Sequence, residues 1–160
     1  MKYRVMAFKK TACKEIDYGF LIDVGISVFI LFFGLFFFFK AGVRTSGDSS
    51  IYLAQGLKIL LENTYDFYER GPMFPLFISF AFKILGISVK SAFVVVRLFM
   101  ILSWVIVYWL ALNMYSRKTA AATVILIATS FGMNIIGEYL LPDTFVPFFI
   151  LLFFLVFCTH

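Results

Sequence analysis

With 62% of its 160 residues hydrophobic, 21% aromatic and only 14% charged, the chain is too apolar for a soluble domain, which is nearer half apolar and a quarter charged. The net charge of +5 is no sign of nucleic-acid binding, because Lys2, Arg4, Lys9, Lys10 and Lys14 all crowd ahead of the first apolar run. Two cysteines, Cys13 and Cys158, form no CxxC pair and the one histidine is the last residue, which argues against a disulfide framework and against a Cys/His metal centre.

The composition implies an all-α integral membrane protein. Its basic tail, 1–17, places the N-terminus in the cytoplasm by the positive-inside rule. The apolar run 18–39 follows, too long for a signal-peptide core and lacking a small-x-small cleavage site, so it reads as an uncleaved first transmembrane helix. Residues 40–91 then form an outer loop. Within it, 49–63 is helical on its pattern, with Leu53, Ala54, Leu57, Leu60 and Leu61 on one face, Asp48 or Ser49 as N-cap and Asn63 as stop. The run 71–86 is the ambiguous one. After its prolines it offers about 12 to 15 helical residues with Lys83 among them, covering roughly 20 Å of a hydrocarbon core about 30 Å thick. A helix of that length suits the interface better than a crossing, so 73–86 is expected to be a second juxtamembrane helix.

Runs 92–112 and 119–137 are the second and third expected spans, joined by the cytoplasmic loop 113–118, and 144–160 begins a fourth after the outer loop 138–143. This layout puts Arg117 and Lys118 inside, with Tyr108, Trp109 and Tyr115 as an aromatic belt. It also delivers Asp143 to the same outer side as Asp48. Were 71–86 to cross, Arg117 and Lys118 would lie outside and Asp143 inside. The chain stops within an apolar run, so it reads as the front part of something longer.

Five residues could carry chemistry on the outer side. Asp48 and Asp143 each precede a helix and can serve simply as caps, worth about 1 kcal/mol; as a pair at the outer ends of different helices they can act as a base and a charge or metal partner. Glu138 is either a third member or an ordinary interfacial acid. Arg70, in "YERGPMFP", has the fork geometry that grips a phosphate; the alternative is pairing with Glu69 or lipid headgroups. Arg97 lies shallowly within the second span, where a charge costs about 2.5–3.5 kcal/mol unless it snorkels or is paired. Asp23 is comparably shallow on the other side and reads as structural, while Lys83 and Lys90 read as interface anchors. No GxGxxG, P-loop, GxSxG or HExxH occurs, which leaves no signal for nucleotide-driven chemistry.

The order "GDSSIYLAQGLKILLEN", "YERGPMFPLFISFAFKILG", "SAFVVVRLFMILSWVIVYWLALNMYSRKTAAATVILIATSFG" and "GEYLLPDTFVPF" resembles the start of the GT-C glycosyltransferases, in the branch of protein O-mannosyltransferases and lipid A aminoarabinose transferases. The resemblance spans about residues 18–158. It implies a truncated GT-C module of about four transmembrane and two juxtamembrane helices. It further implies a sugar donor on polyprenyl or dolichyl phosphate, an acceptor on a lipid, glycan or protein, and transfer on the outer face of the plasma or inner membrane. On this resemblance Asp48 is the base or acceptor-orienting group, Asp143 supports it, Arg70 holds the lipid phosphate, and Tyr52, Glu138 and Arg97 bind substrate. No cofactor is required, and a divalent cation is compatible with the acids. Two departures stand out: Ser49 occupies the place of a second acid, and Gly71 separates Arg70 from Pro72. The 160 residues alone are expected to be inactive. The competing reading is a transporter or flippase fragment, which would favour ionisable groups at mid-depth in the spans.

Overall fold

The computed structural model describes residues 18–40, 42–66, 71–130, 132 and 137–159. They form six helices: α1 (Tyr18–Lys40), α2 (Gly47–Glu62), α3 (Met73–Leu85), α4 (Val89–Met114), α5 (Arg117–Thr129) and α6 (Phe145–Thr159). Among the described residues there is no strand; the only β-type pairing is an isolated parallel bridge between Arg44 and Tyr139.

Among the described residues, α1 and α4 are the two helices long and apolar enough to cross a membrane. They pack antiparallel, with Gly34 admitting the close approach: a Cβ there would lie 3.0 Å from Ile101 Cδ1. α5 lies against both through Ala120, Val124 and Ala128, a small-residue stripe at helical spacing that lets helices approach without a hydrophobic drive from water. The other half of α4 carries α3 and α6. Phe99 is the hub, meeting Phe77 of α3 at 5.0 Å and Phe145 and Phe148 of α6 at 5.0 and 4.9 Å, mostly edge to face. α2 and α3 form a hairpin whose tightest point is Gly56 against Ile78 and Pro75. Lys58 of α2 hydrogen-bonds Asp66 at 2.6 Å, and that bond holds the Asp66 carboxyl below its ordinary range.

Three expectations change. The N-cap of α2 is Ser46, not Asp48 or Ser49, so Asp48 falls inside the first turn. α4 begins three residues earlier than expected, because Ser88 Oγ accepts the Ser91 N–H at 3.0 Å and caps it. The third expected span is helical only over Arg117–Thr129: Ser130 turns extended and bonds back to Ile127 O at 3.2 Å, and most of 131–136 lies outside the described residues. At 1.5 Å per residue α5 and α6, of 13 and 15 residues, cover roughly 20 and 22 Å, less than a bilayer core.

Candidate functional site

The charged side chains of the long helices lie toward their two ends. At one end Asp23 of α1 accepts the Tyr108 hydroxyl of α4 at 2.6 Å and faces Arg117 Nε of α5 at 3.5 Å. This is a structural clasp joining three helices, as expected for Asp23. The candidate site is at the other end, where α1 stops, α2 and α4 start, and the loop 137–144 enters α6.

Five contacts assemble that end. The Arg44 N–H donates to Glu138 O at 2.9 Å, and Arg44 Nε pairs with Glu138 Oε2 at 2.9 Å. Ser49 Oγ donates to Leu140 O at 3.1 Å across 91 residues of sequence, both residues being wholly buried. Arg97 donates to Phe38 O at 2.5 Å and to Gly42 O at 3.2 Å. Gly42 in turn lies beside the Glu138 carboxylate, where a Cβ would meet it at 3.9 Å. The loop carrying Glu138 and Asp143 is thereby sewn to the segment that leads into Asp48.

Each expected residue has a defined setting, save one. Asp48 is exposed at the first turn of α2, where the positive helix end favours its charge. The cap is made without it: the Ser46 N–H donates to Ser49 Oγ at 2.9 Å. Asp143 is likewise exposed, and among the described residues it forms no hydrogen bond or ion pair; Pro142 O instead accepts the first amides of α6, from Phe145 and Val146. Glu138 is held between Arg44 and the neighbourhood of Arg97, which feels its charge. Arg97 is buried in α4 between the rings of Phe38 and Phe93, at 5.8 and 5.7 Å, with its guanidinium on one carbonyl of the last turn of α1 and on Gly42 O just beyond it. A cation there satisfies orphan C=O groups and the negative helix end together. Tyr52 is buried in the α2–α3 hairpin with its ring edge-on to Phe74 at 5.1 Å. Arg70 lies outside the described residues.

Asp48, Glu138, Asp143 and Arg97 therefore share one end of the molecule, and Tyr52 sits one helical turn below Asp48. Sequence reading passed over Arg44, whose partner is 94 positions away and which belongs to no local pattern. Among the described residues no three Asp, Glu, Cys or His side chains converge as metal ligands would. Two exposed carboxylates beside a cation-bearing helix end can take a proton from an incoming hydroxyl and tolerate an anionic leaving group nearby.

No curated protein and no solved structure matches the chain. A family model described as dolichyl-phosphate-mannose-protein mannosyltransferase matches residues 69–160, more than half of the sequence, a stretch that holds Arg70, Arg97, Glu138 and Asp143. With its two long apolar helices, the chain is an integral membrane protein that belongs to the dolichyl-phosphate-mannose-protein mannosyltransferase family, within the GT-C type of glycosyltransferases.

Proposed function

We propose that the chain is the part of a membrane glycosyltransferase that builds its reacting centre, taking a sugar from a polyprenyl- or dolichyl-phosphate carrier to an acceptor on the outer face. The observation that carries this reading is the joint between Ser49 and Leu140, reinforced by Arg44 and Glu138. It holds two acid-bearing segments from opposite ends of the sequence at one end of the helices. Family membership supports the transferase chemistry and a lipid-linked donor.

In the proposed reaction Asp48 accepts the proton of an acceptor hydroxyl. The hydroxyl oxygen attacks the anomeric carbon from the face opposite the lipid phosphate, the new C–O bond forms, and the bond to the phosphate oxygen breaks with inversion. The electron pair leaves on the phosphate, which Arg70 holds. Asp143 supports the proton transfer by its charge, Glu138 orders the Asp143 loop through Arg44, and Tyr52 sets the roll of α2. Arg97 fixes the end of α1 against the site. The charges within α1 and α4 engage protein groups near the helix ends, an arrangement that favours the transferase over the transporter.

The polarity of α1 and the basic tail support a cytoplasmic N-terminus, with α2 and α3 lying at the outer interface and α5 and α6 belonging to the third and fourth spans. The test uses membranes from cells expressing the complete protein. Asp48→Asn should lower sugar transfer from the lipid-linked donor by about 10²–10⁴-fold with membrane insertion unchanged. Turnover within a few fold of wild type would return Asp48 to a purely electrostatic place on the helix.

A further inference from the structure

Beside the carboxylates of the site, and sharing Arg97 with it, two cavities adjoin one another. The first, about 440 Å³, is lined by Phe38, Phe39 and Val43 from the end of α1 and by Lys90, Ser91 and Arg97 from the start of α4. The second, about 610 Å³, is a groove between α3, α4 and α6 with no polar surface at all, floored by Phe77, Val95 and Phe99. Leu85 and Val94 line both, so the cationic chamber and the apolar groove share a wall. Neither cavity is lined by Asp48, Glu138 or Asp143.

We infer that this composite cleft is a binding site for an anionic membrane glycerophospholipid, with its phosphate beside Lys90 and one acyl chain along the α3–α4–α6 groove. Three features select that occupant. The chamber carries two cations and no carboxylate in its lining, and among the described residues Lys90 has no ion-pair partner. The groove is wholly apolar, and its rim residues Phe80, Ile84 and Leu98 are 62%, 62% and 49% exposed, a surface that hydrocarbon covers and water does not. Its volume lies within the ~300–1,000 Å³ of cavities that hold small molecules. A charged head next to a continuous apolar trough is the shape of a lipid, and Lys90 stands where an interfacial lysine meets a headgroup. Seated there, the lipid lies against α3, α4 and α6 beside the aromatic cluster at Phe99. The inference requires a membrane setting but is independent of which carboxylate is catalytic.

The test is native mass spectrometry of the purified full chain in neutral detergent, offered phosphatidylglycerol, phosphatidylcholine and undecaprenyl phosphate in equal amounts. One phosphatidylglycerol should be retained in preference to phosphatidylcholine. Lys90→Gln, an exposed change that leaves the fold intact by circular dichroism, should weaken that preference about fivefold, the effect of one interfacial cation. Val94→Trp, which fills the junction, should lower retention of every lipid. Equal retention of the two phospholipids, or an unchanged preference in Lys90→Gln, overturns the inference. Undecaprenyl phosphate displacing phosphatidylglycerol would assign the cleft to the sugar carrier instead, and a lipid-free dimer would assign the groove to a second copy.

Discussion

The joint at Ser49 gives the sharpest test of how the site is held. Its Oγ accepts the Ser46 N–H at 2.9 Å and donates to Leu140 O at 3.1 Å, and the residue is completely buried. Ser49→Ala removes both bonds with almost no change in volume. The Ser46 amide is half-buried, so water replaces its partner and the loss is that of a helix-capping bond, about 1 kcal/mol. Leu140 O is enclosed, and a buried carbonyl left unsatisfied costs about 1–3 kcal/mol. The sum is a destabilisation of about 2–4 kcal/mol. The neighbouring Ser50 is the control: its Oγ donates to Gly47 O at 2.6 Å on an exposed face, and Ser50→Ala should stay within about 0.5 kcal/mol of wild type. Equilibrium unfolding in detergent–SDS mixtures, followed by helical circular dichroism, measures both. A Ser49→Ala change under about 0.5 kcal/mol, or equal losses for the two serines, would refute the argument that this single hydroxyl ties α2 to the acidic loop.

Two further substitutions probe the frame by the same unfolding measurement. Gly56→Ala puts a methyl 2.7 Å from Ile78 Cγ2 and 3.3 Å from Pro75 O; the buried, β-branched isoleucine cannot yield, so about 1–3 kcal/mol of overpacking should outweigh the roughly 0.5–1 kcal/mol of helix propensity gained. Gly25→Ala, which meets nothing within 4 Å, should be neutral or stabilising, and a Gly56→Ala chain at least as stable as wild type would show that α2 and α3 pack less closely. Tyr108→Phe removes the 2.6 Å bond to the Asp23 carboxylate and should cost about 1.5–3 kcal/mol, whereas Tyr115→Phe, exposed beyond the end of α4, should cost nothing measurable.

Helix positions were the most legible part of the sequence, because each depends on a property of one short run. The length of 18–39, the stripe through Leu53, Leu57 and Leu60, and Pro72 placed α1, α2 and α3 within about two residues. Ends were harder. "TSGDSS" offers five side chains able to cap, and what makes Ser46 and Ser49 the pair is a carbonyl at Leu140, invisible from residues 45–50 alone. Arg97 shows the same limit. A shallow charge in an apolar run announces that it needs a partner, but its partners are main-chain carbonyls of Phe38 and Gly42, and no side-chain pattern encodes a carbonyl. The grouping of Asp48 with Asp143 was legible only through topology, by counting how many runs cross.

That count can be argued from the contacts themselves. α2 begins at the end of α1 that holds Phe38, since Ser49 and Arg44 reach the same loop there. α4 also begins at that end, because Arg97 sits on Phe38 O and Gly42 O, while Tyr108, eleven residues or roughly 16 Å further on, reaches Asp23 at the opposite end. The α2–α3 hairpin therefore leaves and returns to one face of the molecule. A lone crossing by α3 would start α4 at the Asp23 end and separate Arg97 from the carbonyls it caps. The apolar outer stripe of α3, Leu76, Phe80 and Ile84 at 47%, 62% and 62% exposure, fits a helix bedded in the rim of the bilayer with α2 above it. With the hairpin so placed, loop 137–144 arrives by a single return through α5 on the side of Asp48. The proposed pairing of the two aspartates thus depends on a short helix that does not cross.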